Sequence, residues 1–344
     1  MTIDPWFAEN LVCPVDRQAL HAGDNELRCA DGHRYPVVDD VPVMLRGDVS
    51  QTIDLADASL KRASQQQHDP RAPHLYLESL GISETEKVEM LELAKAKGPI
   101  DPVVAYLIAA TNGLMYRHLI GRLERYPIPA IPLPDGRGRR LLDVGCSWGR
   151  WSLAAHAAGY DAVGIDPSLG AVMAARRVAR QLGATNRYIV GDARHLPFAD
   201  RTFDVVFSYS VLQHFSESDA DHAVAQMGRL LRPRGIAKVQ MPTRYGVRCL
   251  YHQARRGFRA PREFEVRYRT LPQLRRLFTT RVGPTRFTAD CYFGIGLQPS
   301  DAPLMTPLLK SITAASETLK RASIRVPALT RAADSVFVEA SITP

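Results

Sequence analysis

The 344-residue sequence predicts an α/β protein built on a mostly parallel β-sheet. Residues of the AVILMFWYC set make up 45% of the chain and charged residues 23%, a composition that can bury a substantial core. From residue 140 onward, short apolar runs alternate with helix-like segments, a pattern typical of a parallel sheet covered on both faces. Because single cores stop growing at roughly 250–300 residues, we also expect appendages.

The elements of the predicted sheet follow one another in a regular order. The predicted strands cover 140–144, 161–165, 187–190, 203–208 and 236–241, with two last strands at 286–288 and 335–341. The predicted helices between them cover 150–158, 169–182 and 219–230, and an amphipathic helix at 308–322 precedes the last strand. Such a sheet binds its ligand at the carboxyl ends of its strands.

Three regions of different composition precede the sheet. Residues 1–48 are short β-like pieces separated by turn dipeptides, 50–126 have helical patterns, and 127–140 form a Pro/Gly/Arg linker. A capping box at Ser83 and Glu86 predicts one helix start, and apolar spacing predicts a second helix over 103–125. We therefore expect domains at 1–48, 50–126 and 140–344, the last with a cap insertion at about 291–333.

Charge is unevenly distributed along the chain. The net charge is +8, yet residues 232–286 contain fourteen Arg and one Lys against two Glu. This segment predicts an anionic partner, such as nucleic acid, a membrane surface or a phosphorylated substrate, or else a solvated basic surface. The amino terminus lacks the pattern of a secretory signal, the longest apolar stretch is too short to span a bilayer, and five scattered cysteines suit reduced thiols. We expect a cytoplasmic protein without a transmembrane segment.

A glycine-rich turn follows the first strand of the predicted sheet. Gly145 and Gly149 allow a sharp turn and a close approach of the backbone to a ligand, while the next helix offers unpaired N–H groups. Asp143 places a carboxylate where a pyrophosphate would be repelled, which favours a cationic ligand. Asp166 ends the second strand, where it can accept from ribose hydroxyls, and Asp192 after the third strand can accept from an exocyclic amine.

Taken in order, LLDVGCSWG, GIDPS, GDARHLPF, FDVVFSYSVLQHF and LLRPRGIAKV within 140–241 resemble the core of class I S-adenosylmethionine-dependent methyltransferases. The resemblance implies a Rossmann-like seven-stranded sheet and in-line methyl transfer from S-adenosyl-L-methionine. Ser147 stands where the family often has a glycine. The cofactor residues that the resemblance implies are Asp143, Gly145, Ser147 and Gly149 near the methionine, Asp166 and Pro167 near the ribose, Asp192 and Ala193 near the adenine, and Ser208 facing the sulfonium.

An alcohol acceptor would also require a general base within hydrogen-bond reach. By motif position His214 is the first candidate for this base and His195 the second. A histidine after this strand can equally serve only to pack against the cofactor or cap a helix.

The first 48 residues contain a metal-ligand pattern. Cys13 and Asp16 have C-x2-D spacing, and Cys29 and His33 have C-x3-H spacing, as in a small module that holds tetrahedral zinc. The pattern resembles the zinc ribbons of ribosomal RNA guanine methyltransferases and of the activator proteins of tRNA methyltransferases, with Asp16 in place of a cysteine. The sequence leaves two outcomes open, a zinc site or a ribbon that has lost its metal.

Three functions fit these observations. The first is methyl transfer, at oxygen, to a small-molecule or glycan-type acceptor, including a phosphorylated one. The second is methylation of RNA bases, which the ribbon spacing and the arginine-rich segment 232–286 favour. The third is a non-catalytic binding or scaffold protein, against which the intact Asp143, Asp166 and Asp192 argue.

Overall fold

The computed structural model describes residues 3–51, 53–68, 75–96, 98–111, 117–294 and 298–343. These residues form two β-sheets, a small antiparallel one near the amino terminus and a seven-stranded mixed one flanked by helices. The predicted α/β class and seven-stranded sheet are confirmed. Among the described residues, no helix combines the length and the apolar character that crossing a bilayer requires.

The small sheet follows a short helix, α1 (Pro5–Asn10). Its four strands pair in sequence order and are all antiparallel. The strands are β1 (His21–Ala22), β2 (Glu26–Arg28), β3 (Arg34–Val38) and β4 (Val41–Pro42). Antiparallel pairing by short loops is what the closely spaced turn residues of this segment predict.

The large sheet has the order β10-β11-β9-β8-β5-β6-β7. Its strands are β5 (Arg140–Val144), β6 (Asp161–Asp166), β7 (Arg187–Val190), β8 (Phe203–Tyr209), β9 (Leu231–Pro242), β10 (Thr285–Cys291) and β11 (Ser335–Ser341). The strands β5 to β9 are parallel to one another, whereas β11 runs antiparallel to both β9 and β10. The order reverses direction between β5 and β8, which opens a crevice at their carboxyl ends.

The remaining α-helices connect the strands or cover the sheet. They are α2 (Asp54–His68), α3 (Glu84–Lys95), α4 (Pro102–Thr111), α5 (Arg150–Ala157), α6 (Leu169–Gln181), α7 (Glu217–Leu230), α8 (Val247–Arg255), α9 (Leu271–Arg281) and α10 (Pro307–Arg325). The predicted capping box at the start of α3 is confirmed, since the Ser83 and Glu86 side chains each accept from the other's backbone N–H. Helix α10 lies within the predicted cap insertion.

The predicted helix over 103–125 is wrong in its length. Helix α4 ends at Thr111, and Arg117–Leu119 form a single 3-10 turn. Gly121 then has φ of 73°, a left-handed conformation that interrupts a right-handed helix. Tyr116, part of the apolar spacing behind this prediction, lies outside the described residues.

Alternate residues of the central strands pack on opposite faces of the sheet. Val206 of β8 joins one buried cluster, while its neighbours Val205 and Phe207 join another. This period of two is expected for a strand covered on both sides. The helices on either face therefore hold the strand ends, and the crevice between them, in fixed positions.

The amino-terminal residues pack directly onto the large sheet. Trp6 lies against Phe198 and Phe203, with ring centroids 6.2 and 6.1 Å away. The backbone N–H of Met44 donates to the carbonyl of Val190 across 2.7 Å, so that the chain after β4 continues alongside β7. Residues 1–48, where described, thus share a hydrophobic core with the central sheet.

Candidate active site

The turn between β5 and α5 requires left-handed backbone at several positions. Gly145 and Gly149 have φ of 76° and 80°, and Ser147 has φ of 47°. A Cβ on Gly145 would lie 2.2 Å from the Val211 side chain, so only glycine fits. A left-handed non-glycine residue costs roughly 1–2 kcal/mol, which explains why a glycine is more usual at the position of Ser147.

Asp166 ties this turn to the end of β6. Its Oδ2 accepts from the backbone N–H of Ser147 and its Oδ1 from that of Ser168, both across 2.9 Å. Burial raises the pKa of this carboxyl to about 6. Each carboxylate oxygen keeps a second lone pair, so the group can still accept hydrogen bonds from a ligand.

A cavity of about 620 Å³ lies beside the turn. Its volume is in the range of roughly 300–1,000 Å³ that small-molecule sites occupy. The sequence-predicted residues that line it are Gly145, Ser147, Asp166, Pro167, Asp192, Ala193 and His214. The structure therefore brings together the motifs at the ends of four successive parallel strands, as the fold class requires.

Three of the predicted cofactor residues do not line the cavity, namely Asp143, Gly149 and Ser208. Asp143 is 1% exposed, and its Oδ2 accepts from the Ser152 hydroxyl across 2.7 Å, so the prediction that it faces the crevice mouth is wrong. Ser208 is fully buried and donates to the Val144 carbonyl, so it does not face a ligand. Their side chains point into the sheet's packing, and Gly149 serves instead as the N-cap of α5.

Two carboxyls nevertheless lie close to the turn, Asp143 in the packed interior and Asp166 at the cavity wall. Burial raises the pKa of Asp143 to about 7, with the Ser152 hydroxyl opposing this change. A cation bound in the cavity would lower the pKa of both Asp143 and Asp166, because an opposite charge favours the ionised form. This end of the cavity is therefore suited to a positively charged ligand.

The third predicted carboxylate, Asp192, is already paired. Its Oδ2 lies 2.6 Å from Arg194 Nη2, and its Oδ1 accepts from the backbone N–H of Arg194. Ala193 beside it contributes a small apolar surface to the cavity. The arrangement fixes the Asp192 carboxylate at the cavity wall rather than leaving it free to turn.

His214 lines the cavity, but both of its ring nitrogens are engaged. Nδ1 lies 2.6 Å from the Phe264 carbonyl, which can only accept, so Nδ1 carries the proton and Nε2 accepts from Gln213 across 3.2 Å. The ring also stacks on Phe264 with centroids 3.9 Å apart, and burial lowers the pKa of His214. The other predicted base, His195, does not line the cavity.

Sequence reasoning missed the wall opposite the turn. It consists of Arg248, Cys249, His252, Tyr268, Cys291, Asp334 and Ser335. Asp334 is 3% exposed, with Oδ1 accepting from the backbone N–H groups of Arg248 and Cys249. Its Oδ2 has no hydrogen-bond partner among the described residues, and burial raises its pKa.

A buried polar network adjoins this wall. The Asp290 carboxylate accepts from Tyr209, Gln240 and Ser335 across 3.2, 3.3 and 2.8 Å. Tyr209, Gln240 and Ser335 all line the cavity, so their positions there are set by one buried carboxylate. Tyr209 also stacks near Trp151, with ring centroids 4.6 Å apart, which gives the cavity an aromatic side.

The four predicted metal ligands come together in the amino-terminal module. Cys13, Asp16, Cys29 and His33 place one ligand atom each within 4.8 Å of all the others. His33 Nδ1 lies 2.9 Å from Asp16 Oδ2, 3.2 Å from Cys29 Sγ and 3.5 Å from Cys13 Sγ. Tetrahedral zinc bonds of roughly 2.0–2.3 Å place ligand atoms about 3.3–3.8 Å apart, so the cluster is close to the size that zinc needs.

Many arginines of the segment 232–286 contact other groups within the protein. Arg267 and Arg269 donate to the backbone carbonyls of the loop around His214, and Arg256 donates to that of Val266. Others form ion pairs, such as Arg281 with Asp221. Arg267 and Arg269 therefore help to hold the loop that carries His214 at the cavity wall.

The sheet order and the glycine-rich turn define the class I S-adenosylmethionine-dependent methyltransferase fold. Residues 141–235 match the family model described as a methyltransferase domain, and the family predicted from the sequence motifs is confirmed for this part of the chain. S-adenosyl-L-methionine is the methyl donor of this class.

Several relatives are similar to this chain. It is 34% identical to a ubiquinone biosynthesis O-methyltransferase of Azorhizobium caulinodans over 100 residues, or 29% of this chain and 39% of that protein. It is 35% identical to a demethylmenaquinone methyltransferase of Renibacterium salmoninarum over 144 residues, or 41% and 57% of the two chains. Neither alignment reaches two thirds of the relative's length. A solved structure of the YcgJ protein of Bacillus subtilis has 18% identity and a TM-score of 0.42, covering 61% of this chain and 94% of that one.

Proposed function

We propose that the protein transfers a methyl group from S-adenosyl-L-methionine to an oxygen of a small-molecule or glycan-type acceptor. The observation that supports this most directly is one continuous cavity that extends from the glycine-rich turn to the wall around Asp334. One end has the carboxyls that suit a sulfonium ligand, and the other has polar groups that suit an acceptor. The cofactor would supply an electrophilic methyl group, and the protein would supply alignment.

The cofactor end is assigned to residues of three strand ends. We propose that Asp166 accepts from the ribose hydroxyls, that Asp192 and Ala193 bound the adenine, and that Gly145 and Ser147 lie along the methionine. Asp143 would act from beneath the turn through its charge, and Gly149 and Ser208 through the shape of the backbone. These roles combine the motif positions with the geometry of the cavity.

We propose Asp334, in place of His214, as the group that takes the acceptor proton. Its Oδ2 has no hydrogen-bond partner among the described residues, whereas the His214 ring is already bonded at both nitrogens. A carboxyl whose pKa is raised by burial is a stronger base than an ordinary one. An acceptor hydroxyl at this wall could donate to Asp334 while its oxygen faces the methyl donor.

RNA as the acceptor has less support. Direct contacts within the protein occupy many arginines of segment 232–286, and these are the groups that would have neutralised phosphates. The cavity has an aromatic and polar lining that suits one enclosed molecule. Arg248 and His252 line the cavity wall, so a small acceptor that carries a phosphate group would also fit there.

We further propose that the amino-terminal module, residues 1–48, binds one zinc ion through Cys13, Asp16, Cys29 and His33. Two thiolates, one carboxylate and one imidazole form a donor set that zinc accepts. The metal would hold the loops of the module together, as structural zinc does.

The helical region 50–126 and the insertion at 291–333 would shape the cavity of the domain at 140–344. The five cysteines form no disulfide in the part of the chain that the structure describes, which suits the cytoplasm.

Methyl transfer is tested with the purified full chain. Calorimetric titration should show about one bound S-adenosylhomocysteine per chain, and radiolabelled S-adenosyl-L-methionine should transfer its methyl group to members of a panel of phenols, hydroxy acids and sugars. Absence of S-adenosylhomocysteine binding would contradict the proposal. Transfer to RNA, with no transfer to any small hydroxyl compound, would replace the acceptor class.

A further inference from the structure

Helix α8 exposes its apolar side chains and buries polar or small ones. Val247, Leu250 and Tyr251 are 56%, 40% and 51% exposed, while the residues it buries are Cys249 and Gln253. Positions three and four apart lie on one side of a helix, so these three exposed side chains form a continuous face. A surface helix of a monomeric protein normally has the opposite arrangement.

A further exposed aromatic side chain follows the end of the helix. The backbone N–H of Phe258 donates to the Gln253 carbonyl, so the chain turns tightly after α8, and the Phe258 side chain is 67% exposed. Aliphatic and aromatic groups of this size rarely stand together in water without a partner. We call Val247, Leu250, Tyr251 and Phe258 the α8 patch.

Arginines border the α8 patch. The guanidinium groups of Arg248 and Arg255 lie 5.6 and 5.9 Å from the centroid of the Tyr251 ring. Arg244 and Arg262 are also exposed. Unlike the guanidinium group of Arg259, which pairs with Glu265, the guanidinium groups of these four form no ion pair with a carboxylate among the described residues. The patch is therefore apolar at its centre and cationic at its border.

We propose that the α8 patch docks on the surface of an anionic lipid bilayer. Apolar side chains that enter the boundary between headgroups and acyl chains, bordered by arginines that meet anionic headgroups, are the features of an interfacial helix. RNA is a poorer occupant because Val247 and Leu250 have no ring on which a base could stack. A second copy of the chain is also a poorer occupant, because a twofold-symmetric contact would bring the bordering arginines of the two copies together and they would repel one another.

The other side of α8 faces the cavity. Arg248, Cys249 and His252 line the cavity wall, and the Cys249 thiol donates to the Asp334 carbonyl. A bilayer on the exposed side would thus lie one helix away from the proposed acceptor end. The docking surface itself does not depend on methyl transfer, whereas a lipid-soluble acceptor that enters beside α8 rests on the proposed function.

The test is sedimentation of the full chain with vesicles. We expect binding to vesicles of phosphatidylglycerol mixed with phosphatidylcholine, weaker binding at high salt, and little binding to phosphatidylcholine alone. The double variant Leu250→Ser/Tyr251→Ser should lower the partition coefficient at least tenfold, and Arg255→Gln about fivefold. All of these side chains lie outside the cavity, and an unchanged thermal unfolding midpoint would show that the variants fold.

A matched control uses exposed apolar residues elsewhere. Leu308 and Ile324 of α10 are 70% and 78% exposed, so Leu308→Ser/Ile324→Ser removes comparable surface far along the chain and should leave vesicle binding unchanged. The proposal is overturned if mixed vesicles do not bind at low salt, or if the α8 and α10 variants behave alike. It is also overturned if single-stranded polyuridylate binds and vesicles do not. S-adenosylhomocysteine binding, measured separately, distinguishes this failure from failure of the proposed function.

Discussion

The backbone N–H of Ser147 donates to Asp166 Oδ2 across 2.9 Å and thereby joins the turn after β5 to the end of β6. Ser147 lies in the turn after one strand and Asp166 at the end of the next, yet one carboxylate fixes both the shape of the turn and its own orientation. The Ser147 backbone keeps its left-handed conformation within this contact. A carboxylate held in this way is preorganised for a ligand.

Replacing Asp166 should weaken cofactor binding. Asp166→Ala removes the proposed acceptor of two ribose hydrogen bonds, and charge-assisted bonds of roughly 1.5–3 kcal/mol each predict at least a tenfold lower affinity for S-adenosylhomocysteine. Calorimetric titration measures this change. Asp161→Ala, at the other end of β6 where the side chain pairs with Arg187, is the control and should keep its affinity. Equal affinities in all three proteins would remove Asp166 from the cofactor site.

Asp143 should make stability depend on pH. Its pKa is about 7 in the folded protein against 3.8 in the unfolded chain, so between these values the unfolded chain binds fewer protons and the free energy of unfolding falls as pH rises. The loss amounts to at most about 4 kcal/mol above pH 7. Urea unfolding at several pH values measures it.

The variant Asp143→Asn should lose much of this pH dependence, because the amide does not ionise. Asp166, whose pKa is also raised, is present in both proteins and leaves a smaller fall below pH 6 in the variant. Parallel pH profiles for the variant and the parent protein would mean that the Asp143 carboxyl titrates normally.

The pair Arg150–Asp301 should contribute strongly to stability. The Nη2–Oδ1 distance is 2.6 Å and the Asp301 side chain is fully buried, so Asp301→Ala leaves a cation partly buried and should cost about 3–5 kcal/mol. The exposed pair Arg281–Asp221 is the control, and Asp221→Ala should cost about 0–1 kcal/mol. If urea unfolding gives both variants similar losses, the buried pair has no special role.

Purified protein should contain about one zinc per chain. Cys13→Ser should lose the metal and lower the thermal unfolding midpoint, because structural zinc stabilises the fold that binds it. Cys291→Ser changes a buried thiol near Ser335, outside the cluster, and should keep the metal. Elemental analysis of the purified protein decides whether the module binds zinc or is a ribbon without metal. A metal-free protein whose midpoint is insensitive to chelators would favour a ribbon held by hydrogen bonds alone.

Asp334 and His214 should respond differently to substitution once an acceptor is in use. The rate at saturating cofactor should rise with pH as the Asp334 carboxyl ionises, and Asp334→Asn should flatten this rise and lower kcat roughly 100-fold. His214→Ala should lower the thermal midpoint through the lost contacts with Phe264 but keep the pH profile. If His214→Ala flattens the pH profile and Asp334→Asn leaves it unchanged, His214 is the general base.

The strands and the turn could be predicted because they depend on nearby residues. The period of apolar positions and the glycines at 145 and 149 are visible in short windows of sequence. The direction of a strand side chain is harder to predict when both faces of the sheet are buried. Asp143 and Ser208 looked like ligand contacts but point into packing for this reason.

The role proposed for Asp334 could not be predicted, because its position depends on the pairing of two strands that are far apart in the sequence. Ser335 pairs with Pro242 where β11 meets β9, and this pairing of strands far apart in sequence helps to bring Asp334 to the cavity wall. Nothing within a few residues of Asp334 signals a site. Net charge likewise predicted a basic segment but could not show that Arg267 and Arg269 use their charge to bind backbone carbonyls.

The chain alongside β7 has a consequence for solubility. β7 lies at one edge of its sheet, and an uncovered edge strand offers unpaired N–H and C=O groups to other molecules. Met44 bonds to Val190 at one end of that strand, while Trp6 covers Phe198 nearby. A shortened protein without residues 1–48 would lose this cover and would expose an edge strand that can pair with strands of other molecules.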